Sequence, residues 1–534
     1  MRLGYRQFAT VALAMLLGTL LLPSTGAQTP QPKRGGTLVF GIWTPPRGSI
    51  DERDSRHVMA QIFGKNLFDP LARIDPKTAK PVPALAKSWT VSPDGRSITF
   101  VLRDDVVFHD GAKFDAEAAK FNLDRFAERG AFSRARFMGG DAYVGTEVLD
   151  RYTIRITWRE TQGFWWELQD YYLGFSSPAA VRRAGNEYGL KTVTGTGPFK
   201  LVEYSEGSEA VMERFDQYRW GATIYKHTGP VYLDRLVFTT IIEPTTRLAA
   251  LERAEIQYTD GRRLEYALPE IKRKRLTVYH EGTAGTPRTL MLNVTHPPLD
   301  EARVRQAISF AIDREALVKG PRYAGVSRPA FATMTFKNWL PGNIQEFRPF
   351  NYLHDPAKSN ELLDRAGWAM GQGGIRSKDG KRLQFEAVIP AQFIPELEPV
   401  QAMLAKVGIE MKIRVVDIPT WFSMMERRQM DATIRNNTGW GLNWGIEEFQ
   451  CNWQDNPSSF CNPELDNLVT QMYRTLDVAK KRELARRALR IILIAAPAVP
   501  IVDEMYTWLS QPYVMDVNYP VDSWPRFYDA WLNR

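Results

Sequence analysis

The sequence predicts a mixed α/β protein made of several lobes, and three features of the chain indicate this class. The chain has 534 residues, 44% of them hydrophobic, which at about 100–200 residues per domain predicts more than one lobe. A helical pattern over 397–406 ends at Gly408, and a strand pattern over 409–416 follows. This alternation is typical of an α/β lobe, here over about 290–500. Strands of period two surround one helix between about 75 and 185, which predicts a separate lobe.

The N-terminal elements follow from alternation and turn chemistry. Residues 35–43 predict a first strand. Residues 85–103 predict a hairpin, because Pro-Asp-Gly at 93–95 separates two strand-like runs. Asp115 predicts the N-cap of a helix, since its side chain can accept from the first backbone N–H groups. Apolar residues at alternate positions from Tyr152 to Trp158 predict another strand.

A glycine-rich segment, Thr194 to Phe199, resembles a phosphate-binding loop only superficially. It lacks the Gly-Lys-Ser/Thr ending, and a strand pattern over 200–204 follows where such a loop requires a helix. Gly195 and Gly197 are therefore predicted to serve a tight turn.

The C-terminal half contains three further helix signals. Asp300 is predicted to cap an amphipathic helix whose apolar residues recur every three or four positions from Val304. A short helix over 361–366 is predicted to stop at Gly367, and Asp477 is predicted to begin the last long helix.

The first 27 residues predict a secretory signal peptide. Arg2 and Arg6 form a basic start, Phe8–Leu22 is an uncharged apolar run of 15 residues, and small residues lead to a cleavage site near Ala27. A membrane anchor is the alternative, but the run is shorter than the roughly 20 residues that span a bilayer core. No cysteine stands directly after the run, so lipid modification is not expected. We therefore expect an exported chain that contacts the membrane only through a partner protein.

Charge and motifs argue against several function classes. The net charge is +8 and the basic residues are scattered, so no nucleic-acid partner is expected. The sequence contains no Gly-x-Ser-x-Gly elbow and no P-loop, and His280-Glu281 lacks the second histidine of a zinc helix. The six histidines are dispersed. We therefore predict no catalytic residues, no metal site and no cofactor, with an exported hydrolase as the least favoured alternative.

The two cysteines, Cys451 and Cys461, are separated by nine residues. In an exported protein such a pair predicts a local disulfide, because the compartment is oxidising. Redox catalysis is not expected, since the sequence has no Cys-x-x-Cys.

Short blocks along the chain occur in the order seen in one known family. They are Gly35–Leu38, Leu85–Trp89, Asp94-Gly95, Phe100–Arg103, Phe108–Gly111, Gly195–Phe199, Thr245–Leu251, Val304–Ala307, Ala311–Arg314 and Asn462–Asp466. One block alone is weak, but all of them in order are specific. The chain thereby resembles the family 5 extracellular solute-binding proteins, the dipeptide-, oligopeptide- and nickel-binding components of ABC importers.

The resemblance implies a periplasmic-binding-protein-like fold of type II, cluster C, with two main lobes, a hinge of two crossing strands and an extra α+β lobe. The implied limits are 28–75, 190–285 and 505–534 for lobe I, 76–189 for the extra lobe II, and 286–504 for lobe III. The ligand is expected between lobes I and III.

The resemblance also implies a function and its partners. The chain is expected to be a periplasmic, monomeric, non-enzymatic protein that captures a peptide or similar polar organic solute and delivers it to the permease subunits of an ABC importer. A non-peptide solute, such as an opine or an oligosaccharide, is one alternative. A chaperone or a sensor that uses the same cleft is another. Nickel chelates are less favoured, because no histidine follows His354.

The segment Thr433–Phe449 is the candidate ligand-binding region, because it combines flat apolar side chains with hydrogen-bonding groups. The candidate residues are Arg435, Asn436, Asn437, Trp440, Asn443, Trp444, Glu447 and Glu448, with Trp43 facing them from the first strand. The alternative for each tryptophan is packing in the core.

One position departs from the family pattern. In peptide-binding members, an aspartate after Trp-Gly-x pairs with the amino terminus of the peptide, whereas this chain has Asn443 after Trp440-Gly441-Leu442. A buried ammonium would lose its charged partner there. Glu447 and Glu448 are the candidate replacements.

Overall fold

The structure is a computed structural model that describes residues 31–45, 48–54, 58–128, 138–261, 263–264, 267–339, 342–350, 352–453, 456–520 and 522–534. The predicted signal peptide, residues 1–27, lies outside the described residues. Within the described ranges, no helix is both long enough and apolar enough to cross a membrane.

The described residues form strands and helices that alternate along the chain. The strands are β1 (Thr37–Ile42), β2 (Ala72–Ile74), β3 (Pro81–Pro83), β4 (Ala86–Val91), β5 (Ser97–Leu102), β6 (Tyr143–Asp150), β7 (Thr153–Trp158), β8 (Phe199–Ser205), β9 (Glu209–Arg214), β10 (Arg235–Thr240), β11 (Tyr258–Asp260), β12 (Thr277–Gly282), β13 (Arg288–Leu292), β14 (Arg328–Pro329), β15 (Ala369–Met370), β16 (Arg376–Lys378), β17 (Lys381–Arg382), β18 (Gln384–Ile389), β19 (Glu410–Val415), β20 (Ala432–Arg435), β21 (Ala498–Asp503), β22 (Met505–Ser510), β23 (Val514–Met515) and β24 (Trp531–Leu532). The helices are α1 (Val58–Leu67), α2 (Ala116–Ala127), α3 (Trp165–Tyr172), α4 (Pro178–Ala184), α5 (Pro244–Glu252), α6 (Leu268–Arg273), α7 (Ala302–Ala311), α8 (Arg314–Lys319), α9 (Pro356–Arg365), α10 (Ile394–Ala405), α11 (Ile418–Glu426), α12 (Pro463–Tyr473) and α13 (Val478–Ala495).

The largest sheet has seven strands in the order β12-β22-β11-β1-β10-β9-β8. Its central strand β1 is parallel to both neighbours, and the outer pairs are antiparallel. Phe40 on β1 is fully buried, with its ring 5.0 Å from that of Tyr258. All seven strands lie within the three segments predicted for lobe I.

A second sheet has six strands in the order β14-β21-β13-β20-β18-β19. Strands β18, β19 and β20 run parallel, with α10 and α11 as connections, and the others are antiparallel. Parallel strands require such crossovers, which explains the alternation of helix and strand in this half of the sequence. All six strands lie within the segment predicted for lobe III.

A four-stranded antiparallel sheet, β4-β5-β7-β6, lies within the segment predicted for lobe II. Helix α2 covers it, and the Asp115 carboxylate accepts from the N–H of Ala118 at 3.1 Å. Buried residues of this sheet, such as Phe100, and of the seven-stranded sheet, such as Phe40, belong to one apolar cluster. The exact limits of the three lobes stay a prediction.

Two short connections join the seven-stranded and the six-stranded sheets. One runs from β12 to β13 through residues 283–287, and the other from β21 to β22 through Glu504 alone. The N–H of Thr283 donates to the carbonyl oxygen of Glu504 at 3.2 Å, so the two connections are in contact.

The structure confirms most of the local predictions and shifts two helix starts. The predicted helix cap at Asp300 is wrong by one position, because α7 begins at Ala302 and Glu301 occupies the cap position. Asp300 belongs to the preceding turn, in which its N–H donates to the carbonyl oxygen of His296 at 3.1 Å. The helix predicted over 361–366 begins earlier, at Pro356.

The glycine-rich segment packs against the end of α1. A Cβ on Gly195 would lie 2.1 Å from the Leu67 carbonyl oxygen, and one on Gly197 would lie 2.4 Å from the Leu67 carbonyl carbon. The glycines therefore permit close approach of two backbones, and β8 begins directly after them at Phe199.

Candidate ligand-binding cleft

Three cavities surround the segment Ile434–Asn437, where β20 ends. Ile434 lines the first, which we call the apolar cavity; Arg435 and Asn437 line the second, the Trp444 cavity; and Asn436 lines the third, the cleft cavity. Successive side chains of an extended segment point to opposite faces, so neighbouring residues here reach different cavities.

The Trp444 cavity has a volume of about 320 Å³ and contains Asn443 and Glu447. The side-chain amide of Asn443 donates to Glu447 Oε2 at 2.8 Å, and the hydroxyl of Tyr473 donates to the same oxygen. Glu447 is 6% exposed. The short helix Glu447–Phe449 therefore places a buried carboxylate next to the asparagine.

The neighbouring Glu448 has a different environment in the same cavity. Its Oε2 lies 3.7 Å from the Arg435 guanidinium and accepts from Asn437 Nδ2 at 3.3 Å. The charge of Glu448 is thus balanced by an arginine of the chain itself.

Trp444 forms one wall of its cavity. A Cβ on Gly439 would lie 2.1 Å from the indole ring, so only glycine at this position allows the ring to lie against the backbone. The indole N–H is buried and has no hydrogen-bond partner among the described residues. A buried donor of this kind normally has a partner, so it is a candidate contact for an acceptor atom of a ligand.

The cleft cavity, of about 480 Å³, lies between the seven-stranded and the six-stranded sheets. Trp43 and Tyr506 line it from the first sheet, and Asn436 and Phe393 line it from the other side. Trp43 is stacked on Trp524 at a centroid distance of 6.2 Å, which supports its ring from behind.

Ion pairs occupy the walls of the cleft cavity. Arg247 pairs with Asp260 at 3.1 Å on the side of the seven-stranded sheet. Across the cavity, Arg288 pairs with Glu504 at 3.1 Å. Burial alone would lower the pKa of Arg288, but Glu504 and Glu396 raise it overall, so the guanidinium stays charged.

Arg322 and Arg263 are the other cations of this cavity. Arg322 pairs with Glu396 at 3.1 Å. Arg263 is exposed and has no ion pair within the described ranges. The cavity thus carries four arginines against Asp260, Glu396 and Glu504, which favours an anionic group in a ligand.

The predicted site residues separate into three groups. Arg435, Asn443, Trp444 and Glu447 line the Trp444 cavity, whereas Trp43 and Asn436 line the cleft cavity. Trp440 is buried in a small cluster with Ile74 and Ala284. Whether each residue contacts a ligand stays a prediction.

Sequence reasoning missed the arginines of the cleft cavity. Arg247, Arg288 and Arg322 come from α5, β13 and the loop after α8, far apart in the chain. The one usable signal was the position of Arg288 at the start of a strand, directly after the connection between two predicted lobes.

The predicted disulfide between Cys451 and Cys461 is present. It closes a loop that contains Trp453, a residue of the Trp444 cavity. The N–H of Cys451 donates to Asp466 Oδ1 at 3.1 Å, which ties the loop to α12. In the part of the chain that the structure describes, no group of three or more histidine, cysteine, aspartate or glutamate side chains is arranged to hold a metal ion.

Comparison with known proteins identifies a family and a curated relative. A model of the family described as bacterial extracellular solute-binding proteins, family 5 Middle, matches residues 80–455. The glutathione-binding protein GsiB of Salmonella paratyphi A is 29% identical over 472 residues, which cover 85% of this chain and 87% of that protein.

Two solved structures share the fold. NikA from Brucella suis, in complex with Fe(III)-EDTA, aligns with a TM-score of 0.80 and 23% identity over 93% of this chain and 100% of its own. The periplasmic binding protein DppA from Helicobacter pylori, in complex with the peptide STSA, aligns with a TM-score of 0.74 and 23% identity over 94% and 99%. The fold is therefore that of the type II periplasmic binding proteins.

Proposed function

Since this chain belongs to family 5 of the bacterial extracellular solute-binding proteins, we propose that it captures a peptide-like solute with a free ammonium group and at least one carboxylate. The proteins of this family bind solutes for transporters and are not enzymes, and they work with ABC permeases. The observation that carries the proposal is the buried Glu447 carboxylate beside Asn443.

Glu447 supplies the negative charge that Asn443 lacks. It is four residues further along the chain, but its Oε2 is 2.8 Å from the Asn443 side-chain nitrogen. The family resemblance places the amine-binding carboxylate at position 443. In this chain we infer that Glu447, which lines the same cavity as Asn443, carries that negative charge instead. A desolvated ammonium needs such a partner, because an unpaired buried charge costs about 3–5 kcal/mol.

The arginines of the cleft cavity supply the complementary sites for carboxylates. Arg263 is the exposed one, and guanidinium groups bind carboxylates with paired hydrogen bonds. Asn436 lines the cleft cavity and the next residue, Asn437, lines the Trp444 cavity, so one residue step of the chain separates the two proposed subsites. Glutathione, named in the relatives, has one ammonium group and two carboxylates and is the first compound to test.

The remaining parts of the proposal concern location and assembly. The chain is exported with cleavage near Ala27, carries no lipid, acts as a monomer and contacts the membrane only through the permease. Its lobes have the limits 28–75 with 190–285 and 505–534, 76–189, and 286–504. The main lobes close over the solute about the two crossing connections, and the permease recognises the closed form.

Calorimetric titration of residues 28–534 with glutathione and with its N-acetylated form tests the amine site. We expect acetylation to weaken binding, and Glu447→Gln to weaken binding of the free amine by about 3 kcal/mol, roughly 100-fold. The matched control is Glu464→Gln, which changes an exposed glutamate on α12. Equal affinity for both forms of the ligand, or an unchanged affinity of the Glu447→Gln variant, would refute amine recognition by Glu447.

A further inference from the structure

We propose that the apolar cavity binds an alkyl or aromatic group attached to the captured solute, so that the natural ligand is an amphiphilic, amide-containing compound. This inference rests on the proposed function and adds the chemical class of the solute. Its evidence is the composition of the cavity, its position beside the cleft cavity, and two unpartnered polar atoms where the two meet.

The apolar cavity is large, and most of its lining surface is apolar. Its volume is about 620 Å³, within the roughly 300–1,000 Å³ that small-molecule sites occupy. Leu317 from α8, Pro395 and Met403 from α10, and Ile434 and Ile501 from the sheet line it. The cavity lies between two helices and the sheet and opens to solvent beside Ala316 and Pro395, which are exposed, so a solute can enter it from outside.

The apolar cavity and the cleft cavity share a wall. Arg288, Arg322 and Glu396 line both. The two cavities are therefore adjacent, and these three side chains are the groups that a solute occupying both would contact.

The shared wall presents one donor and one acceptor without partners. Arg288 Nε and Glu396 Oε2 are both buried, and neither has a hydrogen-bond partner among the described residues. Their side chains are close, since Arg288 Nε lies 3.9 Å from the other carboxylate oxygen of Glu396. An amide group satisfies both atoms at once, because its C=O accepts and its N–H donates. This pairing places an amide of the solute at the shared wall and its apolar group in the apolar cavity.

Binding of glutathione and its S-alkyl thioethers, from methyl to hexyl, tests the proposal by calorimetry. Each buried methylene contributes about fourfold in affinity, so we expect the dissociation constant to fall steadily along the series. The informative variant is Ala316→Trp, which introduces a large side chain at an exposed cavity-lining position of α8. The control is Lys319→Trp, on the same helix and also exposed. The gain with chain length should disappear in Ala316→Trp and persist in Lys319→Trp.

Two outcomes of this series overturn the proposal: an affinity independent of chain length in the unaltered protein, or the same dependence in the Ala316→Trp variant. If no glutathione derivative binds, the glutathione assignment fails by itself, and a second probe decides on the cavity. Fluorescence of 1-anilinonaphthalene-8-sulfonate, an aromatic anion, should rise with the unaltered protein and with Lys319→Trp but not with Ala316→Trp. Equal fluorescence in all three proteins counts against the apolar site.

Discussion

Replacement of Asp503 should remove part of the pH dependence of the free energy of unfolding. Asp503 ends β21, immediately before the Glu504 connection between the two large sheets. Burial raises the pKa of its carboxyl to about 7, although the N–H of Phe336 donates to Oδ2 at 2.8 Å and Arg328 acts in the same lowering direction. The other oxygen is buried without a hydrogen-bond partner in the described part of the chain.

The magnitude follows from proton linkage. The carboxyl has a reference pKa of 3.8 and a folded value of about 7, so the folded state binds more protons between these values and the free energy of unfolding falls as the pH rises. Over the whole window the loss is about 4 kcal/mol, and between pH 5.0 and pH 7.5 it is about 2.5 kcal/mol. Asp503→Asn keeps an oxygen to accept from Phe336 and removes the titration.

Urea unfolding followed by tryptophan fluorescence at both pH values measures this effect. Relative to the unaltered protein, the Asp503→Asn variant should gain about 2.5 kcal/mol on going from pH 5.0 to pH 7.5. Asp379→Asn, a change of an exposed aspartate in a turn, is the control and should show no such gain. If the free energies of unfolding of Asp503→Asn and of the unaltered protein differ by the same amount at both pH values, a raised pKa at this position is refuted.

Two further predictions concern the disulfide and a partly buried histidine. The Cys451→Ala/Cys461→Ala variant should lose about 2.7 kcal/mol of unfolding free energy by loop entropy, measured by urea unfolding, and the same stability under oxidising conditions would contradict a constraining role. His109 accepts from the N–H of Gly195 through Nδ1 and donates from Nε2 to the Gly197 carbonyl, and burial lowers its pKa to about 4. The NMR signals of the folded His109 ring should therefore stay constant from pH 7.5 to pH 5.0, while those of the urea-unfolded chain shift. Neutral His109 contributes its full stability above pH 6.5, and this contribution is lost as the pH falls towards 4. Titration of the folded His109 signal near pH 6.5 would contradict the prediction.

Local signals in the sequence predicted the local structure well. The hairpin over 85–103 forms as β4 and β5, and Asp477 caps α13 by accepting from the N–H groups of Ala479 and Lys480. The Cys451–Cys461 disulfide is present. Each of these features depends on residues at most about twenty positions apart, so the chain contains the relevant partners within one short window.

Helix starts were less predictable, because neighbouring turns and caps outside the apolar pattern decide where a helix begins. Asp300 has the right side chain for a cap, but its backbone is held in the preceding turn by His296 and the helix begins after Glu301. The start of α9 at Pro356 was missed because the apolar pattern begins only at Leu362, whereas Asp355 provides the cap.

The sequence by itself determined the family resemblance, several of the strands and helices, the disulfide and the segment in which to look for a site. Only the tertiary structure decided that Arg435 and Asn436 face different cavities and that Trp440 packs with Ile74 and Ala284. It alone brought Arg288 and Glu396 to a shared wall, although 107 positions separate them in the chain. The physical reason is that side-chain direction and the partners of buried charges depend on contacts between distant segments, which no local pattern encodes.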